Sequence, residues 1–141
     1  MGIFGSLFGK KEEYPPLDPA SEALRAMEAM EEPLKGLTGA VKDRLEVIPA
    51  GDAAYIYIGK PPEYFGLAWV EDGKLENLKS YLGQKGASQD AVKQLTERLR
   101  EVYVKAQGAK RYSYSVAGRD VVVTPASEMA SGIKSALESV H

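Results

Sequence analysis

The chain has 141 residues, 44% of them hydrophobic and 27% charged, which are values of an ordinary single domain and exclude wholesale disorder. Its 18 basic and 20 acidic residues give a net charge of −2, which argues against a nucleic-acid partner because such proteins usually carry a basic excess. The sequence contains no cysteine, which excludes disulfides, thiolate metal ligands and thiol nucleophiles.

The apolar runs of the sequence are too short for a membrane span or a secretory signal. A spanning helix needs about 20 apolar residues, and a signal needs an apolar core of about 7–15 residues at the start. Neither pattern occurs. We therefore expect a cytoplasmic protein.

Residues 1–17 are predicted to form a separate unit, an apolar segment followed by a proline linker. The large apolar side chains of this segment fall on one side of a short helix: Ile3, Phe4, Leu7 and Phe8. Two lysines follow at positions 10 and 11, so a membrane surface is one candidate partner. Because Glu12 and Glu13 cancel both charges, we expect the four side chains to pack on protein instead, either this chain's own sheet or a second copy.

Residues 18–141 are predicted to form one α+β domain organised around the stretch 53–70. This stretch holds two apolar runs separated by a Gly-Pro-rich loop, which is typical of a β-hairpin at the middle of a sheet. Further strands are predicted at 45–48, 111–116 and 121–124. The expected sheet has about five strands, is mostly antiparallel, and combines a three-strand meander with a second hairpin. We expect the helices to pack mainly on one face.

The helices are predicted from caps and apolar spacing. Asp18 and Pro19 are expected to open the first helix, Leu75 to begin a short one, and Ser88 to cap a long one with a regular buried stripe. Thr124 is expected to cap the last helix. The single tryptophan, Trp69, is expected to be buried.

Four tyrosines alternate on the two predicted hairpins: Tyr55, Tyr57, Tyr112 and Tyr114. If the hairpins were neighbours with these faces aligned, the rings would form an aromatic platform able to stack on a partner. The alternative is that the rings are core residues under the helices. We favour the core, because a sheet of this size must bury one face.

The sequence gives no sign of a catalytic, cofactor or metal site. The one histidine, His141, is terminal, and no Walker or dinucleotide-binding glycine pattern occurs. Acidic residues that could do acid–base chemistry all fall in predicted turns, where solvation is expected: Asp52, Glu63, Glu71, Asp72 and Asp120.

We therefore expect a non-catalytic protein-interaction or accessory module, with a protein partner or self-association, no cofactor and no metal. The alternative is a small-ligand-binding domain or enzyme with a pocket between sheet and helices. A ligand site predicts a deep pocket with converging polar groups, whereas an interaction module predicts a flat or grooved apolar surface.

Overall fold

The computed structural model describes residues 13–140 of the chain. Its five helices are α1 (Glu22–Ala29), α2 (Glu31–Ala40), α3 (Leu78–Lys85), α4 (Gln89–Lys105) and α5 (Ser127–Glu138). Its six strands are β1 (Leu45–Ala50), β2 (Ala53–Lys60), β3 (Tyr64–Glu71), β4 (Lys74–Asn77), β5 (Tyr112–Val116) and β6 (Arg119–Val123).

The strands form one mixed sheet in the order β4-β3-β2-β1-β6-β5. Only β1 and β6 are parallel, through the pairs Glu46–Val122 and Val47–Val123, and the other neighbours are antiparallel. The predicted α+β class with a mostly antiparallel sheet is confirmed.

The sixth strand, β4, lies where the sequence predicted a helix beginning at Leu75. Leu75 instead pairs with Val70 across a tight turn. Asp72 and Gly73 both have positive φ, 53° and 74°, which is the geometry of a two-residue hairpin whose twist matches that of the strands. Of the three leucines whose spacing suggested this helix, only Leu75 lies in β4, and the other two lie in α3.

The helices cover both faces of the sheet, so the expectation that they lie mainly on one face is corrected. α1 and α2 pack on the face that carries Val47, Ile56 and Val70. α4 and α5 pack on the opposite face. The central strands are apolar on both sides, and each apolar side needs a covering layer.

The predicted burial of Trp69 and the predicted buried stripe of the helix capped by Ser88 are confirmed. Trp69 is 8% exposed, and its ring meets Tyr81 edge-on at 5.4 Å. Ser88 caps α4 by accepting a hydrogen bond from the backbone N–H of Ala91, and the helix buries Leu99 completely.

Two helices begin later than predicted because their expected caps have other partners. The carboxylate of Asp18 accepts from the N–H of Ala20 in a local turn, and Ser21 caps α1. Thr124 donates its backbone N–H to Val47 across the parallel pair, so α5 begins only at Ser127.

Residues 14–17 run along the edge of β5. Pro16 forms a parallel bridge with Ser113, and Leu17 is buried under the α1–α2 layer. The predicted linker is therefore attached to the sheet. The segment carrying Ile3, Phe4, Leu7 and Phe8 lies outside the described residues.

Candidate functional site

Glu46 is a carboxylate with no exposed surface, and it lies on β1 among apolar neighbours. Its Oε1 accepts hydrogen bonds from Tyr103 Oη at 2.7 Å and from the Arg44 guanidinium at 2.9 Å. Its Oε2 accepts from Thr124 Oγ1 at 2.6 Å and from Arg111 Nε at 2.9 Å. We call these five side chains the Glu46 network.

The network keeps the carboxylate ionised. Burial raises the pKa of Glu46, but the hydrogen bonds from Thr124 and Tyr103 and the charges of Arg44 and Arg111 together outweigh burial, so its pKa lies below the ordinary value. Burial and the neighbouring carboxylate raise the pKa of Tyr103 to about 12, so its hydroxyl stays a neutral donor. Neither group is poised to exchange a proton near neutral pH.

Arg111 connects the network to the end of α4. Its guanidinium donates to the backbone carbonyls of Ala106, Gln107 and Ala109, which follow the last residue of α4. Its charge lies 5.5 Å from the centre of the Tyr103 ring. The network thus joins β1, α4, the chain just before β5 and the chain just after β6.

A second polar site of the molecule is an open cleft of about 740 Å³. It lies at the end of the sheet where β1 turns into β2, between α1 on one face and α5 on the other. We call it the α1–α5 cleft. Glu46 does not line it.

Small side chains line the walls of the cleft, and charged side chains form its rim. Four alanines face each other across it, three from α1 and one from α5: Ala23, Ala26, Ala29 and Ala130. The β1–β2 turn supplies the floor, with Pro49, Ala50 and Ala53. Charged side chains of both signs surround the opening: Glu22, Arg25, Asp52, Glu71 and Lys134. Small apolar walls allow another backbone to approach closely, and mixed charges can fix its orientation.

Two of the acidic turn residues singled out from the sequence meet at this rim, Asp52 and Glu71, and both are exposed as expected. Tyr55 also lines the cleft, although only 8% of it is exposed. Burial raises the pKa of its hydroxyl, and the charges of Glu71 and Glu138 raise it further.

The structure does not bring the four candidate tyrosines together. Tyr55 and Tyr57 lie in the core on the α4–α5 face, and the Tyr57 hydroxyl donates to the backbone carbonyl of Leu99 at 2.8 Å. Tyr112 and Tyr114 lie half-buried on the opposite face. Strands β1 and β6 separate the two pairs, so the hairpins are not sheet neighbours and no shared platform forms.

Sequence reasoning missed both the network and the cleft. An acidic residue inside the apolar run Leu45 to Ile48 was the available signal for Glu46, because a buried carboxylate needs partners. The cleft left no local signal, since its walls come from helices about 100 residues apart in the sequence.

Within residues 13–140, no three potential metal-ligating side chains gather at one place, and no helix has the length and apolar character to cross a membrane. No protein-family model matches the sequence, and neither curated proteins nor solved structures give a match. We therefore infer function from the geometry of the Glu46 network and of the α1–α5 cleft.

Proposed function

We propose that this chain is a non-catalytic protein-interaction module that binds a segment of a partner protein in the α1–α5 cleft. The observation that carries the proposal is the cleft itself: an open groove with alanine walls and a rim of both charges. Interfaces combine an apolar centre with a polar rim in this way.

The polar atoms of the molecule favour a protein segment over a small ligand. Small-molecule sites place a few buried polar groups so that they converge on the ligand. Among the described residues, every buried side-chain nitrogen or oxygen already has a hydrogen-bond partner within the protein. The charged groups at the cleft lie on its rim instead, where they suit a longer chain that extends past the opening.

Other apolar side chains on the described surface do not make a competing site. The exposed large ones are Tyr64, Leu75 and Val104, which belong to β3, β4 and α4 respectively. Singly exposed apolar residues are normal on a protein surface. The free edge of β4 has only four residues, and Lys74 and Glu76 place charges along it, which disfavours edge pairing.

The proposal can be tested with peptides selected from a random library against the full chain. Peptides that bind are expected to shift the amide resonances of Ala26, Ala50 and Ser131, at the walls and floor of the cleft. Ala29→Trp, at an exposed position of one wall, should weaken binding by about tenfold or more, ~1.4 kcal/mol, because the indole fills the groove.

The matched control is Ala40→Trp, which adds the same side chain at an exposed alanine at the end of α2 and should leave peptide affinity unchanged. Selected peptides that shift resonances elsewhere, or that bind both variants equally, would contradict the proposal. A screen in which only small molecules perturb the cleft resonances would favour the ligand-binding alternative.

A further inference from the structure

We propose that the resident occupant of the α1–α5 cleft is this chain's own N-terminal segment, residues 1–12, and that a partner binds by displacing it. This inference rests on the proposed function, since it concerns the same cleft. It assigns a protein surface to four large apolar side chains of the segment: Ile3, Phe4, Leu7 and Phe8.

The chain enters the fold along the edge of β5, in the same direction as that strand. Ser113 on β5 donates its backbone N–H to the Pro15 carbonyl at 2.9 Å and its hydroxyl to the Tyr14 carbonyl at 3.1 Å. The N–H of Leu17 returns a bond to the Ser113 carbonyl at 3.3 Å. These bonds hold residues 14–17 parallel to β5.

That direction brings the upstream chain to the cleft end of the sheet. β5 is antiparallel to β6, which is parallel to β1, so the start of β5 lies at the same end as the last residues of β6 and β1. Tyr112, for example, pairs with Val123, two residues before the cleft-lining Pro125. The N-terminal segment therefore reaches the sheet from the end at which the cleft opens.

The chain before residue 14 is long enough to reach the cleft. From residues 14–17 to Pro125, at the near wall, the path crosses two strand spacings, about 10 Å. The six residue-to-residue steps from Phe8 to Tyr14 can span about 20 Å when the chain is extended. The apolar side chains can thus enter the cleft while residues 14–17 stay bound to β5.

The volume and the charges of the cleft suit the side chains of the N-terminal segment. A cleft of about 740 Å³ falls in the ~300–1,000 Å³ range of pockets that hold drug-sized ligands, which is enough for a few large side chains. The segment continues into Lys10, Lys11, Glu12 and Glu13. The two lysines can pair with the three acidic residues of the rim, and the two glutamates can pair with its two basic residues.

A spin label tests the contact in the full chain. Because the protein has no cysteine, Ala29→Cys gives one labelling position in the wall of the cleft. The amide resonances of the four apolar residues of the segment are expected to lose most of their intensity next to this label. The control label at Ala40→Cys should leave the same resonances intact.

Charge in the segment should abolish the contact. In Phe4→Glu combined with Phe8→Glu, the broadening from the Ala29→Cys label should disappear while the resonances of the core are unchanged. Library-selected peptides should then bind this variant severalfold more tightly than the unaltered chain, because the competing segment has been removed.

Three results would overturn the inference. The first is no broadening from the Ala29→Cys label. The second is broadening only when label and observed segment are on different molecules of a mixed sample, which would assign the contact to a second copy. The third is no broadening together with sedimentation on phosphatidylserine vesicles that Phe4→Glu abolishes, which would assign the segment to a membrane surface. None of them affects whether Ala29→Trp blocks library-selected peptides, so the proposed function is judged separately.

Discussion

The Glu46 network and the α1–α5 cleft both contain charged groups, but the two regions use them in opposite ways. In the network, one fully buried carboxylate accepts four hydrogen bonds at 2.6–2.9 Å, two of them from arginines. At the cleft, charged side chains surround a groove with small apolar walls and remain exposed on its rim. Buried, fully partnered charge holds elements together, whereas exposed charge beside an apolar groove is available to another molecule.

This contrast indicates that the cleft, and not the Glu46 network, is the region available to another molecule. Glu46 has the acidic group that an enzyme could use, but its partners occupy both oxygens and it has no surface. The charged groups that line the cleft are all exposed, and the groove itself is accessible. Substitutions in the network should therefore change folding stability, and substitutions in the cleft should change binding.

The largest expected effect comes from Glu46→Ala. Removing the carboxylate breaks the ion pair that Glu46 makes with the largely buried guanidinium of Arg111, and it should lower the free energy of unfolding by about 3–5 kcal/mol. Urea denaturation measures this loss. Glu76→Ala, on the exposed strand β4, is the control and should stay within about 0.5 kcal/mol. Equal effects from the two variants would mean that the network does not support the fold.

Leu99→Ala should destabilise the protein by about 2–5 kcal/mol, because Leu99 is fully buried between α4 and the sheet. Lys93→Ala, on the exposed side of the same helix, should change stability by less than about 0.5 kcal/mol. Denaturant midpoints compare the two. A small loss for Leu99→Ala would show that the α4–α5 layer adds little to the fold.

Tyr103→Phe removes one of the four hydrogen bonds to Glu46 and should cost about 1–3 kcal/mol, since the acceptor is buried and charged. The matched control is Tyr114→Phe. Its hydroxyl donates to Glu31 at 3.1 Å from a half-buried position, and its loss should cost about 1 kcal/mol or less. A larger loss of stability for Tyr114→Phe than for Tyr103→Phe in thermal melts would show that the network contributes less to the fold than we infer.

The smallest expected effect of the network is its pH dependence. The pKa of Glu46 is lower in the folded protein than its ordinary value of 4.5, so its contribution is fully present above that value and is lost as pH falls through the folded pKa. Burial raises the pKa of Glu46 while its partners lower it, so the two effects partly cancel. Only part of the stabilisation by the network therefore depends on pH. In Glu46→Gln, the unfolding free energy should fall less steeply below about pH 4.5 than in the unaltered chain.

The sequence predicted the parts of the fold that depend on local patterns. Strands β2 and β3, the buried position of Trp69 and the stripe of α4 all follow from alternation or helical spacing within one element. The strand β4 was missed because Leu75 continues the helical spacing of Leu78 and Leu82, which lie in α3. The second helical layer was missed because a strand that is apolar on both sides does not say which helix covers which side.

The candidate sites depend on long-range pairing and were much less predictable. The Glu46 partners come from positions 44, 103, 111 and 124, and only the parallel β1–β6 pair brings the last of these close. The cleft forms because α1 and α5 lie on opposite faces of the sheet, next to the turn between β1 and β2. No periodicity within a single segment encodes either arrangement.

The affinity of library-selected peptides for Ser131→Trp decides whether the α1–α5 cleft is a binding site. Ser131 is an exposed residue of α5 in the wall opposite Ala29, so a binding site between the two helices must feel both substitutions. We expect Ser131→Trp to weaken peptide binding by about tenfold or more, ~1.4 kcal/mol, and to leave the unfolding midpoint unchanged. Full affinity for Ser131→Trp in a folded protein would contradict this expectation.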